Sequence, residues 1–116
     1  MVNAHFYLED GAYFRADVSG HAGCGVRGED LVCAGISALV QAALNGLDCF
    51  TAGRFGWQID PDGAATMVLD RNLDAETKKC AHVVLKTLEL GLSALAESYP
   101  EALRVHIKEV AKDDSY

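Results

Sequence analysis

The stretch that decides the fold is residues 20–39, GHAGCGVRGEDLVCAGISAL, because it joins a predicted strand to a predicted helix. His21 stands at the exit of the strand, and Cys33 stands near the start of the helix. The residues between them are rich in glycine, which favours a mobile connection that can cover a bound peptide. We predict a flexible substrate loop that contains Gly20, Gly23, Gly25 and Gly28.

The sequence before this stretch predicts an antiparallel hairpin. Residues 2–8 and 12–19 each alternate apolar and polar side chains, which is typical of strands buried on one face. Between them, Glu9-Asp10-Gly11 has the composition of a tight turn. The alternation places Phe14 on the apolar face and Tyr13 on the polar face.

The sequence after it predicts helix, hairpin, helix and strand. Apolar residues recur at helical spacing over 30–48, followed by a connection over 49–54. A second hairpin follows, with strands over 55–60 and 64–70. After it come a long helix over 74–99, capped by Asp74 and stopped by Pro100, and a last strand over 103–110. The order ββαββαβ predicts an α+β fold, a mainly antiparallel sheet with two helices packed on one face.

Length, composition and charge limit the class of protein. The chain has 116 residues, which suits a single domain over 1–116, and 50% of them are hydrophobic. Its net charge of -7 disfavours direct binding to nucleic acid and favours a basic partner. We identify no apolar run of membrane-spanning length and no targeting segment, so we expect a cytoplasmic protein with no membrane contact.

Cys33 is the candidate nucleophile. A helix N-terminus and a neighbouring imidazole both favour the reactive thiolate, and this cysteine is placed to have both. We predict Asp30 as the helix N-cap and His21 as the base. Ser37 lies one helical turn after Cys33 and is placed to contact a substrate or to fill a packing position.

Other interpretations of these residues stay open at this point. A cysteine between Val32 and Ala34 is often only a small buried side chain. Zinc could be bound by His21, Cys24 and Cys33 with Cys80 or His82, although these spacings are not those of a zinc ribbon and we predict no metal or cofactor. Residues 23–28 match GxGxxG, but the flanking hairpins are unlike a dinucleotide-binding unit.

We predict core or dimer contacts for Phe55 and Trp57. With Ile59 they would form an exposed apolar strand face that contributes to a dimer. Their apolar side chains alternate along one face of the third strand. The acidic charge of the chain argues against a platform that stacks nucleic-acid bases.

The residues of the central stretch resemble the signature of the ribosomal-processing cysteine protease family (Prp, also called the YsxB-like family). The likeness rests on Gly20-His21-Ala22, Gly28-x-Asp30-x-Val32-Cys33-Ala34 and Ser37-Ala38-Leu39, and the family's length and element order match the whole chain. It implies a homodimeric cytosolic protease that removes a short N-terminal extension from ribosomal protein twenty-seven of the large subunit.

The resemblance also implies a role for each site residue. Cys33 corresponds to the nucleophile, His21 to the base, and Asp30 and Ser37 to supporting positions, with the glycine loop as the flap over the substrate. The loop of this chain departs from the family by its additional glycine and by Cys24. The alternative function is a non-catalytic module in which the loop and the helix N-terminus bind a peptide or an anion during ribosome assembly.

Overall fold

The structure, a computed structural model, describes residues 1–20 and 29–111. Its elements follow the predicted order ββαββαβ, and the α+β fold is confirmed. They are β1 (Val2–Glu9), β2 (Ala12–Gly20), α1 (Glu29–Thr51), β3 (Phe55–Ile59), β4 (Ala65–Leu69), α2 (Ala75–Ser98) and β5 (Leu103–Glu109).

The five strands form one sheet in the order β3-β4-β2-β1-β5. Every neighbouring pair is antiparallel except β1 and β5, which run parallel because α2 carries the chain across the sheet between β4 and β5. Both helices pack on one face, where the largest fully buried side chains are Phe6, Leu47, Met67, Leu85, Leu92, Leu103 and Val32. The opposite face of the sheet carries the polar side chains of the alternation.

The hairpin of β1 and β2 differs from its predicted pattern at Tyr13. Asp10 and Gly11 both have positive φ, 52° and 78°, as a two-residue hairpin turn requires. The register then shifts between Tyr7 and Leu8, which marks a β-bulge. As a result, both Tyr13 and Phe14 are buried, and the prediction that Tyr13 lies on the polar face was wrong.

Helix α2 is capped as predicted. The Asp74 carboxylate accepts a hydrogen bond from Thr77 N over 2.9 Å, and the hydrogen bonds from Thr77 hold the pKa of Asp74 below its usual range. At the other end, Tyr99 N donates to Leu95 O, and Pro100 follows directly. The cap fixes where α2 begins relative to the end of β4.

Three glycines bring α1 and α2 close together. A Cβ on Gly35 would lie 3.2 Å from Leu95, and a Cβ on Gly46 would lie 3.3 Å from Val84. A Cβ on Gly91 would lie 3.0 Å from the side chain of Leu39. These pairs show that the helices are antiparallel neighbours and that Gly91, which weakens α2 intrinsically, permits close packing.

A buried polar cluster joins α2 to β2. Glu89, which is 4% exposed, accepts hydrogen bonds from Tyr13 Oη at 3.2 Å, Lys86 Nζ at 2.8 Å and Ser93 Oγ at 2.8 Å. Nearby, His82 Nδ1 accepts a hydrogen bond from Tyr13 N over 2.9 Å. Burial raises the pKa of Tyr13, and the Glu89 carboxylate beside it acts in the same direction.

Two expectations about α1 were wrong: that the chain has no apolar run of membrane-spanning length, and that residues 49–54 form a connection. Its segment Leu31–Thr51 is long and apolar enough to cross a membrane, judged by length and composition alone. In the structure one side of this segment is buried on the sheet through Val32, Ile36, Val40 and Leu47. That packing is typical of the core helix of a globular domain. The helix also continues through Cys49–Thr51, where we predicted a connection.

Candidate active site

Cys33 lies near the start of α1 with its side chain exposed. The helix begins at Glu29, so Cys33 is its fifth residue rather than the third as predicted. Because Cα–Cβ bonds tilt toward the helix N-terminus, the thiol projects back over the first turn, where unpaired N–H groups and the positive end of the dipole favour an anion. An exposed thiol in this place is suited to nucleophilic attack.

The predicted role of Asp30 as the N-cap was wrong. Asp30 lies within α1, one residue after its start at Glu29, whereas an N-cap residue precedes the first helical residue. The structure describes the side chains of α1 from Leu31 onward.

Cys33 and Ser37 share one flank of α1, and both are exposed. Gly35 faces Leu95 of α2, and a residue two positions away on a helix lies on nearly the opposite side. The flank that carries Cys33 and Ser37 therefore points away from α2. Since α2 packs on β2 and β5, this flank faces the β3 side of the sheet.

Gly20 is the last residue of β2 and pairs with Val2, so its prediction as part of a flexible loop was wrong. Its φ is +99°, which L side chains rarely adopt, and a Cβ there would overlap the carbonyl oxygen of Met1. Only glycine satisfies both conditions, so Gly20 sets the direction in which the chain leaves the sheet. His21, Gly23, Gly25 and Gly28 lie outside the described residues.

The end of β2 and the start of α1 lie at the same end of the sheet. Val2 pairs with Gly20 on one side and with Leu103 on the other. The short connection from α2 to Leu103 places the C-terminus of α2 at this end. Because α1 is antiparallel to α2, and Gly35 lies against Leu95, the first turns of α1 are at this end too.

The other described cysteines do not join this site. Cys49 is at the far end of α1, and Cys80 lies near the start of α2, so both are remote from Cys33; each is exposed. His82 is engaged with the Tyr13 backbone. Within residues 1–20 and 29–111, no group of three or more His, Cys, Asp or Glu side chains is placed to hold a metal ion.

Sequence reasoning left open whether β3 is buried or exposed, and it did not anticipate the burial of Glu89. Trp57 and Ile59 are 59% and 47% exposed, so Trp57 is not a core residue, and the dimer contact that we predicted for both stays a prediction. The signal for Glu89 was present in the helical spacing, because Lys86 and Ser93 stand three and four residues from it. Its partner Tyr13 could not be predicted, because the β-bulge places Tyr13 on the buried face against the alternation of the strand.

Comparison with known proteins places this geometry in a family. The family model described as cysteine protease Prp matches residues 1–104. The ribosomal processing cysteine protease Prp of Staphylococcus aureus is 31% identical over 91 residues, 78% of this chain and 83% of that protein. The protein of the same name from Bacillus subtilis is 29% identical over 90 residues, 77% of this chain and 80% of that protein.

A solved structure agrees with the sequence relatives. The essential ribosomal processing protease Prp from S. aureus, in complex with a covalently linked product peptide, superposes with a TM-score of 0.78 at 27% identity. The match covers 93% of this chain and all of that one, 100%. The likeness therefore extends over most of the chain and is not limited to one element.

Proposed function

The chain belongs to the cysteine protease Prp family and is a cysteine protease, and from this premise we propose that it removes a short N-terminal extension from a large-subunit ribosomal protein, number twenty-seven. The relatives in S. aureus and B. subtilis are named for ribosomal processing, which supports a ribosomal substrate. The charge of -7 suits a basic substrate protein.

The observation that carries the proposal is the exposed thiol of Cys33 at the start of α1. Cys33 is the fifth residue of α1, and its exposed side chain projects over the first turn, where the unpaired N–H groups of a helix favour an anion. Cys80 is also in the early turns of α2, as its sixth residue, but α2 begins with the Asp74 cap, whose carboxylate already occupies the helix start. The start of α1 lies beside the end of β2, from which His21 follows.

The proposed mechanism is peptide hydrolysis through an acyl-enzyme formed by a Cys-His dyad. His21 accepts the proton of Cys33, the sulfur attacks the scissile carbonyl, and the C–N bond breaks as His21 gives the proton to the leaving amine. Water, deprotonated by His21, then attacks the thioester and releases the new carboxylate and the thiol. Backbone N–H groups at the helix start stabilise the oxyanion in both steps.

The supporting residues act around this dyad. Ser37, one turn after Cys33 on the same exposed flank, is placed to hydrogen-bond the substrate. Asp30 in the first turn supports the helix start. Gly20 directs His21 out of β2, and Gly23, Gly25 and Gly28 let the segment after it close over a bound peptide.

A cleavage assay tests the function. The purified protein is incubated with a peptide that spans the extension junction, and the products are identified by mass spectrometry. We expect cleavage by the wild type and by the control Cys80→Ala, and a loss of at least about a thousandfold in kcat for Cys33→Ala and His21→Ala. Full cleavage by Cys33→Ala would rule out this mechanism, and binding without any cleavage by the wild type would indicate a binding module.

We also propose that the protein is a homodimer that uses the outer surface of its helix pair. An apolar groove of about 310 Å³ runs between α1 and α2, and the exposed side chains of Phe50 and Val83 line it. A second copy that presents the same surface would cover both grooves at once. Sedimentation should give a dimer for the wild type and a monomer for Val83→Glu, with Ile107→Glu as the control.

A cytoplasmic location follows from the proposed substrate, because ribosomal proteins are made and assembled in that compartment. Cell fractionation should recover the protein with the cytoplasmic fraction. Recovery with the membrane fraction after a high-salt wash would contradict this location.

A further inference from the structure

Strand β3 forms one edge of the sheet, and its outer side has no partner strand in the part of the chain that the structure describes. In its ladder with β4, Asp60 N donates to Ala64 O over 2.8 Å. Hydrogen-bonded pairs alternate with non-hydrogen-bonded pairs along an antiparallel ladder. Because Asp60 and Ala64 form a hydrogen-bonded pair, the pairs of Ile59 with Ala65 and of Trp57 with Met67 are not hydrogen-bonded. The N–H and C=O groups of Trp57 and Ile59 therefore point outward, where an added strand would meet them.

The side chains of the same two residues form a small apolar surface beside this edge. Trp57 pairs with Met67, and Ile59 pairs with Ala65, so both lie on the face of the sheet that carries the helices. Met67 and Ala65 are buried, but Trp57 and Ile59 remain 59% and 47% exposed. The helix layer thus leaves the outermost strand uncovered.

This edge lacks the features that usually prevent strand addition. Proteins protect exposed edges with charged side chains, proline or a β-bulge. The sequence of β3, FGWQI, contains no charged residue and no proline, and its register with β4 is continuous. An uncharged, regular edge with unpaired backbone groups suits an extended peptide.

The edge lies on the same side of the molecule as the proposed nucleophile. Cys33 and Ser37 occupy the flank of α1 that points away from α2 and toward β3. Ile59 pairs with Ala65 of β4, and Ala65 pairs in turn with Val18 of β2. Val18 lies two residues before Gly20, the end of β2. A peptide that follows β3 past Ile59 therefore runs toward the end of the sheet where α1 begins.

The size of the surface favours a peptide over a second copy of the chain. The exposed area of the two side chains is on the order of 200 Å². Each partner in a standard protein interface buries about 800 Å². Two adjacent apolar side chains next to a free strand edge instead match the alternate side chains of one extended segment.

We propose that the substrate binds as an added strand along the outer edge of β3, with an apolar side chain against Trp57 and Ile59. This inference rests on the proposed function, since the occupant is the segment next to the bond that Cys33 cleaves. The backbone groups of β3 fix the position and direction of the peptide, and the two side chains select an apolar residue. Trp57 and Ile59 are thus specificity-determining residues.

The first test compares matched variants at the two edges of the sheet. Ile59 on β3 and Ile107 on β5 are both exposed isoleucines on edge strands, at 47% and 52%. We expect Trp57→Ala to lower kcat/KM for the junction peptide by about tenfold or more, mainly through KM, and Ile59→Ala to lower it less. Ile107→Ala should leave kcat/KM unchanged. Equal kcat/KM for all three variants and the wild type would overturn the inference.

The second test examines the backbone of the substrate with the wild-type protein. Junction peptides are prepared with a single N-methyl group moved along the segment that precedes or follows the cut. Strand addition uses every second amide of the peptide, so the loss of cleavage should alternate along that segment. A loss that does not alternate contradicts pairing with β3.

Two further readouts separate this inference from its alternatives. If the wild type does not cleave the peptide, the proposed function fails, and the inference about β3, whose occupant is the substrate, is overturned with it. If the wild type cleaves and Trp57→Ala cleaves equally well, only the inference about β3 fails. If Trp57→Ala instead becomes a monomer where the wild type sediments as a dimer, the surface belongs to a second copy and the inference is overturned.

Discussion

Replacing Glu89 with glutamine tests how the buried polar cluster holds α2 on the sheet. The Glu89 carboxylate accepts three hydrogen bonds, from Tyr13, Lys86 and Ser93, and its side chain is only 6% exposed. The Glu89→Gln amide has the same shape but keeps one acceptor oxygen and presents a donor in place of the other. At least one hydroxyl or ammonium group then loses its acceptor.

The expected cost follows from the strength of these bonds. A hydrogen bond to a charged group contributes about 1.5–3 kcal/mol, so we expect Glu89→Gln to lower the free energy of unfolding by about 2 kcal/mol. For a chain of this size, that corresponds to a fall in Tm of roughly 8 °C. Urea titration at pH 7 measures the change, and Glu97→Gln, an exposed glutamate on the same helix, is the control.

The effect depends on pH in a defined direction. Burial raises the pKa of Glu89, but hydrogen bonds from Lys86 and Ser93 and the charge of Lys86 outweigh it, so the pKa lies below its usual value. The unfolded chain therefore binds the proton more readily than the folded one. The contribution of Glu89 is complete above its ordinary pKa and is lost as the pH falls through the native value. The stability gap to Glu89→Gln should shrink below about pH 4.5.

Two results would refute this reasoning. The first is a free energy of unfolding for Glu89→Gln that equals that of Glu97→Gln at pH 7. The second is a gap between wild type and Glu89→Gln that widens on acidification. Either result would mean that the cluster does not hold an ionised carboxylate.

Three more substitutions probe the scaffold around the site. Gly20→Ala should abolish cleavage, because its Cβ overlaps the Met1 carbonyl and its φ of +99° is strained, whereas Ser19→Ala should cleave normally in the same assay. Asp74→Ala should lower the Tm because Thr77 N loses its capping acceptor, and a thermal melt equal to that of the wild type would contradict the cap. Met67→Ala, at a fully buried position, should cost about 2–5 kcal/mol in urea titration, and a cost under about 1 kcal/mol would contradict tight packing there.

The sequence pattern was sufficient for the element order because each strand alternates and each helix carries a clear stripe. The pattern was insufficient where the pairing of strands decides which side chains are buried and which strands are neighbours. The β-bulge that buries Tyr13 arises from the register of β1 against β2, which no local pattern encodes. The parallel pairing of β1 with β5 likewise depends on the crossing path of α2.

The site was predictable in part. Cys33 could be proposed as the nucleophile from its residue type and its predicted place near a helix start, and the structure shows that place and an exposed side chain. The start of α1 was harder to predict from the sequence. Asp30 is a favourable N-cap residue by type, but α1 begins at Glu29 and Asp30 lies inside it. The uncovered edge of β3 depends on where the helices end over the sheet, so the fold decides between the buried and exposed positions that the sequence left open for Trp57.

The most direct test of the central claim is to trap the acyl-enzyme. The wild-type protein is mixed with the junction peptide, quenched in acid within the first turnover, and digested for mass spectrometry. We predict that Cys33 carries the N-terminal fragment of the peptide as a thioester, that the leaving fragment has a free amine, and that Cys49 and Cys80 are unmodified. Cleavage without an adduct on Cys33, and equally fast in Cys33→Ala, would contradict the claim that this thiol at the start of α1 is the nucleophile.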